Sequence, residues 1–368
     1  MRTLGDTIAR LKSRQPAMSA TSVLKPLTIQ GPNPGALKAW IHVPKGLGPN
    51  PPLVVVLHGC AQTPAAYDAG SGWSAMADRH GFVVVYPEQQ RPNNPSLCFN
   101  WFSPADICRD GGEAASIHST IETAVQAHDV DRARVFVTGL SAGGAMTAVM
   151  LSTYPDVFRA GAVFAGLPYA CAGSVPEALD RMRGVGLASA SALKAAVTKA
   201  STPNGPWPSL SVWHGTGDRT VVPANADALL DQWRGTLGLP LSPDVVRDRG
   251  DYTHRSWNRS DGLPALEDYR VRGMGHGVPI KPRATDPVGA AGPYMLATSL
   301  SSTEILVETW GLARPANQEV SRYRLDKAPA QPPSSPEMAT DADRVQPPHG
   351  SSVQTIIETA LRRAGLMP

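Results

Sequence analysis

The chain has almost no surplus of charge: 34 Lys and Arg against 31 Asp and Glu leave +3 over 368 residues. That balance excludes a protein that coats phosphate by bulk charge, since nucleic-acid binders carry a clustered basic excess. Long hydrophobic runs are also missing. A membrane-spanning helix needs about 18 or more consecutive apolar residues, and the longest candidate is the short stretch Leu53–Leu57. The expectation is a soluble protein with no membrane span. Residues 1–18 carry Arg2, Asp6, Arg10, Lys12 and Arg14 where a secretory signal would be apolar. No signal peptide is visible, so the reading is a cytoplasmic protein, with secretion as the alternative. Cysteines are few, and none of Cys60, Cys98, Cys108 and Cys171 has the CxxC spacing of a zinc or redox site. They are structural thiols or form one or two disulfides, with three pairings open if both bridges form.

What is present in quantity is turn-forming residue: 35 Pro and 34 Gly, without a repeating period. That pattern excludes collagen-like order and predicts many turns and loose termini. The 42% hydrophobic content is enough for a sizeable core.

Apolar or alternating segments at 23–29, 37–43, 53–57, 82–86, 134–138, 160–164, 210–214 and 268–272 give eight candidate strands. Helical stretches at 72–79, 112–128, 141–154, 224–233 and 302–310 alternate with them from the third strand onward. This rhythm predicts an α/β fold, a mostly parallel eight-stranded sheet flanked by helices, with an antiparallel edge from the first strands. The domain reading is an N-terminal tail over 1–22, a catalytic domain over 23–312 and a Pro/Ser-rich C-terminal tail over 313–368. Between 166 and 209 the pattern loosens into turns and short helical pieces, which reads as an excursion over the sheet's C-terminal, active-site edge. Within the tail, Val353, Ile356, Ile357, Ala360, Leu361 and Leu366 recur at helical spacing. They predict a terminal amphipathic helix over 352–366, with Arg362 and Arg363 favourable to its dipole. Such a helix packs on its own domain or contacts a polymer surface.

The strongest local signal is Gly139-Leu140-Ser141-Ala142-Gly143-Gly144, directly after one candidate strand and opening a helix. A nucleophile elbow needs glycine two residues either side of its serine, because side chains there would strike neighbouring backbone. Ser141 is then the nucleophile, and the N–H of Ala142 at the helix start an oxyanion donor. A serine hydroxyl is weak and needs a base and an orienting acid, in the chain order Ser, Asp or Glu, His. Asp218 follows the seventh strand in a GTGD turn, and His276 follows the eighth in GMGHG. Asp227 and Asp231, inside the next helix, are weaker acids. His214 and His254 are rival bases, and a strand-end His214 reads as structural. The second oxyanion donor is the N–H of Cys60, in the turn Leu57-His58-Gly59-Cys60-Ala61-Gln62, where His58 reads as structural. Trp101, Trp73 and Trp257 are candidate substrate contacts in loops around the site, whereas Trp213 reads as core. Glu113, at a helix start, reads as a dipole-favoured residue and not as an acid catalyst.

Taken in order, HGCAQ (58–62), GFVVVYPE (81–88), CFNWF (98–102), Gly112-Glu113, GLSAGGAM (139–146), GTGD (215–218) and GMGHG (273–277) resemble the polyhydroxybutyrate depolymerase and feruloyl esterase family over roughly 27–312. The resemblance implies an α/β-hydrolase fold, with Ser141 as nucleophile, Asp218 as acid, His276 as base, and Cys60 and Ala142 as oxyanion donors. It implies a serine carboxylesterase that acts on short-chain or hydroxyalkanoate esters through an acyl-enzyme, with no metal, no cofactor and no nucleic-acid partner. The alternatives are a feruloyl or acetylxylan esterase and, outside enzymes, a binding protein that keeps a hydrolase shell without turnover.

Overall fold

The computed structural model describes residues 22–201, 205–283, 285 and 288–314. Residues 1–21 of the N-terminal tail and the terminal helix expected over 352–366 lie outside the described residues. The main sheet has ten strands: β1 (Lys25–Pro26), β2 (Lys38–His42), β3 (Leu53–Leu57), β4 (Val83–Glu88), β5 (Val135–Leu140), β6 (Ala160–Phe164), β7 (Ser209–Gly215), β8 (Val245–Asp248), β9 (Tyr252–Asn258) and β10 (Pro264–Val271). In space they run β1-β2-β4-β3-β5-β6-β7-β10-β9-β8. The six from β4 to β10 are parallel, and both edges are antiparallel.

The sheet therefore exceeds the expected eight strands by the β8–β9 hairpin. Its sequences, VVRD and YTHRSWN, are too polar for a period-two apolar signal. They form strands because β10 offers an open edge to pair with. A separate two-stranded piece joins β11 (Val278–Ile280) to β12 (Met295–Ala297).

Alternation within β3 explains how both sheet faces are covered. Leu53, Val55 and Leu57 enter one core cluster, while Val54 and Val56 enter the other. The first face packs against α3 (Gly112–His128), α4 (Ala142–Thr153), α6 (Ala190–Ala200) and α7 (Ala224–Leu237). The second is covered by α1 (Pro64–Ser71), α2 (Trp73–His80) and α8 (Ser302–Thr309). Between β6 and β7, α5 (Val175–Met182) lies beside the loop after β7: Val222 N–H donates to Met182 O at 2.9 Å. The chain then continues as α6, which lies along α7, where Gln232 Nε2 donates to Leu193 O at 3.0 Å.

Strand order reverses at β3, since β4 lies on one side of it and β5 on the other. Such a reversal opens a crevice at the strands' C-terminal ends, where open α/β sheets carry their ligands. The turns after β3, β5, β7 and β10 all open there.

Candidate active site

Ser141 stands between β5 and α4 with φ 58° and ψ −117°, a strained backbone that few non-glycine residues adopt. Flanking glycines make the turn sterically feasible. A Cβ on Gly139 would lie 2.3 Å from Gly143 O, and a Cβ on Gly143 would lie 2.2 Å from Leu57 O. The turn is held by Ser141 N–H donating to Phe164 O at 2.9 Å and by Ala145 N–H donating to Ser141 O at 2.8 Å. At the start of α4, Ala142 N–H has no acceptor among the described residues, as expected for a first helical turn. The same is true of Cys60 N–H in the turn after β3. The two turns touch: Gly143 backs onto the carbonyls of Leu57 and His58.

Asp218 and His276 come together from the ends of β7 and β10. Thr216 N–H donates to Val271 O at 2.9 Å and Gly217 N–H to Met274 O at 3.0 Å, which locks one loop against the other. His276 Nδ1–H then donates to Asp218 Oδ2 at 2.7 Å, while Thr220 and Val221 N–H donate to Asp218 Oδ1 at 2.8 and 3.0 Å. Burial pushes the Asp218 carboxyl up, but the His276 bond and charge, His214 and the Val221 N–H outweigh it. The net effect holds Asp218 below the usual carboxylate range.

The rivals have other partners. His214 is buried, donates from Nε2 to Val221 O at 2.8 Å, and lies 3.5 Å from Asp218 Oδ2. Burial lowers its pKa. His254, on β9, bonds Glu267 Oε1 of the neighbouring β10 at 2.9 Å. Asp227 pairs with Arg270 and Asp231 with Arg234, each at 2.8 Å. His58 is buried, with Nδ1–H donating to Gly59 O at 2.8 Å and Nε2 accepting from Gln89 N–H at 3.1 Å.

The tryptophan expectations need correction. Trp73 is core, stacked on Trp310 at 5.8 Å, and Trp310 in turn stacks on Phe136 at the start of β5, away from the site. Trp257 is 3% exposed and pairs opposite Leu266 near the start of β10, at the opposite sheet end from His276. Trp101 is on the site side, but it packs edge-on to Phe102 at 5.5 Å and only 5% of its surface is exposed. Loop position in sequence does not distinguish a ring facing a crevice from one that a loop folds inward to bury its large apolar area. Trp213 is fully buried and stacks on Tyr269.

Sequence reading missed a supporting set. Cys60 and Cys98 form a disulfide, leaving Cys108 and Cys171 free. Gln62 Oε1 accepts Gly59 N–H at 2.8 Å, and Tyr294 lies edge-on to His276 at 6.1 Å. Glu113 is buried, and burial pushes its carboxyl up to about 8 against the pull of donors from Asn100 and Gln89. The motifs HGCAQ and Gly112-Glu113 contain the signals for Gln62 and Glu113. Gln89 follows GFVVVYPE and carried no signal of its own.

A sequence model of the family described as Esterase PHB depolymerase matches residues 40–243. Poly(3-hydroxyalkanoate) depolymerase C of Paucimonas lemoignei is 44% identical over 300 residues, which cover 80% of this chain and 72% of that protein. Acetylxylan esterase A of Aspergillus oryzae is 32% identical over 265 residues, 70% of this chain and 85% of that one. Feruloyl esterase B of Talaromyces funiculosus is 31% identical over 258 residues, 68% and 71% of the two chains. Among solved structures, the acetyl xylan esterase from Aspergillus awamori superposes with a TM-score of 0.66 at 26% identity, covering 79% of this chain and 99% of that chain.

Proposed function

The chain belongs to the PHB depolymerase esterase family and is a carboxylic ester hydrolase of α/β-hydrolase fold, and from that premise we propose Ser141, His276 and Asp218 as its catalytic triad. The observation that carries the assignment is the 2.7 Å bond from His276 Nδ1–H to Asp218 Oδ2, at the sheet edge that also holds the Ser141 elbow. With its proton held at Nδ1, His276 keeps a lone pair at Nε2 to take the Ser141 Oγ proton. Oγ attacks the ester carbonyl, and the resulting oxyanion accepts the free N–H groups of Cys60 and Ala142. His276 returns the proton to the leaving alkoxide as the tetrahedral intermediate collapses to the acyl-enzyme. Water, deprotonated by His276, then releases the acid and restores Ser141.

The substrate in this reading is a hydroxyalkanoate ester, supported by the 44% identity to a poly(3-hydroxyalkanoate) depolymerase. In this reading short esters and soluble oligomers turn over faster than crystalline polymer, supported by the position of α5 beside the loop that carries Asp218, where Val222 N–H donates to Met182 O. An acetylated xylan is the second reading, supported by the overlap with nearly the whole acetyl xylan esterase fold. The Cys60–Cys98 bridge fits an oxidising compartment. The test is a panel of short nitrophenyl esters, hydroxybutyrate oligomers, crystalline film, acetylated xylan and methyl ferulate. Faster turnover of hydroxybutyrate oligomers than of xylan or ferulate supports the first reading. Faster release of acetate from xylan favours the second, and rapid erosion of crystalline film overturns the size preference.

A further inference from the structure

Glu113, in the first turn of α3, is 1% exposed, and no cation pairs with it among the described residues. Its carboxyl instead collects N–H donors: Asn100 N–H and Asn100 Nδ2, each at 2.7 Å, and Gln89 Nε2. A buried carboxyl is costly, and helix-dipole stabilisation needs no such enclosure. The three donors belong to two stretches of chain, and both lead to the proposed oxyanion turn.

The first stretch runs through Gln89. Its backbone N–H donates to His58 Nε2 at 3.1 Å, and His58 Nδ1–H donates to Gly59 O at 2.8 Å. Gly59 C=O and Cys60 N–H are the two ends of one peptide group. A trans peptide is planar, so pinning the carbonyl on one side aims the N–H to the other. The second stretch is 98–100. Glu113 holds Asn100 by backbone and side chain, Gln89 Nε2 donates to Cys98 O at 3.0 Å, and Cys98 is bonded to Cys60. Cys60 is thus held at its preceding peptide and at its side chain, and both restraints end on Glu113.

We propose that Glu113 is a positioning residue for the oxyanion hole, aiming Cys60 N–H through Gln89 and His58 on one side and through Asn100 and Cys98 on the other. The inference rests on the reading of Ser141 as nucleophile and Cys60 N–H as oxyanion donor. Glu113 touches no reacting atom. Its effect is confined to the tetrahedral state, where a misaimed donor weakens stabilisation and leaves ester binding unchanged.

The test compares wild type with Glu113→Gln, which sets an NH2 group against the Asn100 donors, and with Gln89→Met, which keeps volume and the backbone N–H but deletes the side-chain donors. Active serine is titrated with a phosphonate so that rates are per competent site. The expected result on a nitrophenyl ester is a fall in kcat of about tenfold or more, with KM within about twofold. The inhibition constant of an alkyl boronic acid, which forms a tetrahedral adduct on the serine, should rise by the same factor as kcat falls. Unchanged kcat per titrated site with unchanged boronate affinity assigns Glu113 to folding alone and overturns the inference. If Glu113→Gln does not fold, Gln89→Met carries the same expectation and the same refutation. Ser141→Ala separates the two levels: full activity in that variant removes the triad reading itself, whereas an inactive Ser141→Ala beside fully active Glu113→Gln and Gln89→Met removes only the relay.

Discussion

Asp218 accepts a hydrogen bond from Nδ1–H of His276, 58 residues away in sequence, on one carboxylate oxygen at 2.7 Å, and accepts from the backbone N–H groups of Thr220 and Val221 on the other. All three donors suit an ionised acceptor, so the carboxylate fixes both the tautomer and the tilt of the imidazole. Asp218→Asn keeps the shape but presents a donor or a weaker acceptor to Nδ1. A loss in kcat of about 10,000-fold is expected, with the fold retained. Circular dichroism with ester kinetics checks it, and a loss below tenfold would place the orienting acid elsewhere.

His276→Ala should lower kcat/KM by roughly 1,000-fold or more, as should Ser141→Ala. His254→Ala should leave the rate near wild type, since its partner is Glu267 and it stacks on Tyr269 at 4.3 Å. It should instead cost about 1–3 kcal/mol of stability by leaving a buried carboxylate short of a donor. Kinetics and urea titration of the variants decide between the two histidines.

Reduction of the Cys60–Cys98 bridge should reach both stability and rate. The bond closes a separation of 38 residues, for which a loss of about 2–4 kcal/mol is expected. Because Cys60 carries a proposed oxyanion donor, Cys98→Ser should also lower kcat while a soluble ester keeps its KM. A variant that lost stability yet kept its full kcat would show that the bridge serves the fold only.

Burial pushes Glu113 up to about 8, whereas an unfolded glutamate titrates near about 4.3. Between those values the folded state binds the extra proton, so stability from this group is fully present below the unfolded value and is lost as pH rises through 8. Comparing urea midpoints of wild type and Glu113→Gln at pH 5 and pH 9 isolates the term. The difference should move in the variant's favour at the higher pH, and a constant difference would contradict the raised value.

The sequence alone was sufficient for features that are local. The elbow reads directly from Gly139, Ser141 and Gly143, because a strand-turn-helix junction admits only small residues where its own backbone crowds. Strands such as Leu53–Leu57 and Val135–Leu140 read from uninterrupted apolar runs, and their alternation with helices implied a parallel sheet covered on both faces. Only the tertiary structure decided the rest. Which histidine meets Asp218 depends on two loops brought together by the pairing of β7 with β10: His254 and His276 both follow Asp218 in the chain, but packing gives His254 to Glu267 and His276 to Asp218. The cysteine pairing, the inward packing of Trp73, Trp101 and Trp257, and the β8–β9 edge depended on distances between segments remote in sequence. So did Glu113: a helix-start glutamate has the same sequence signature whether solvent or buried N–H donors receive its carboxylate, and only packing distinguishes them.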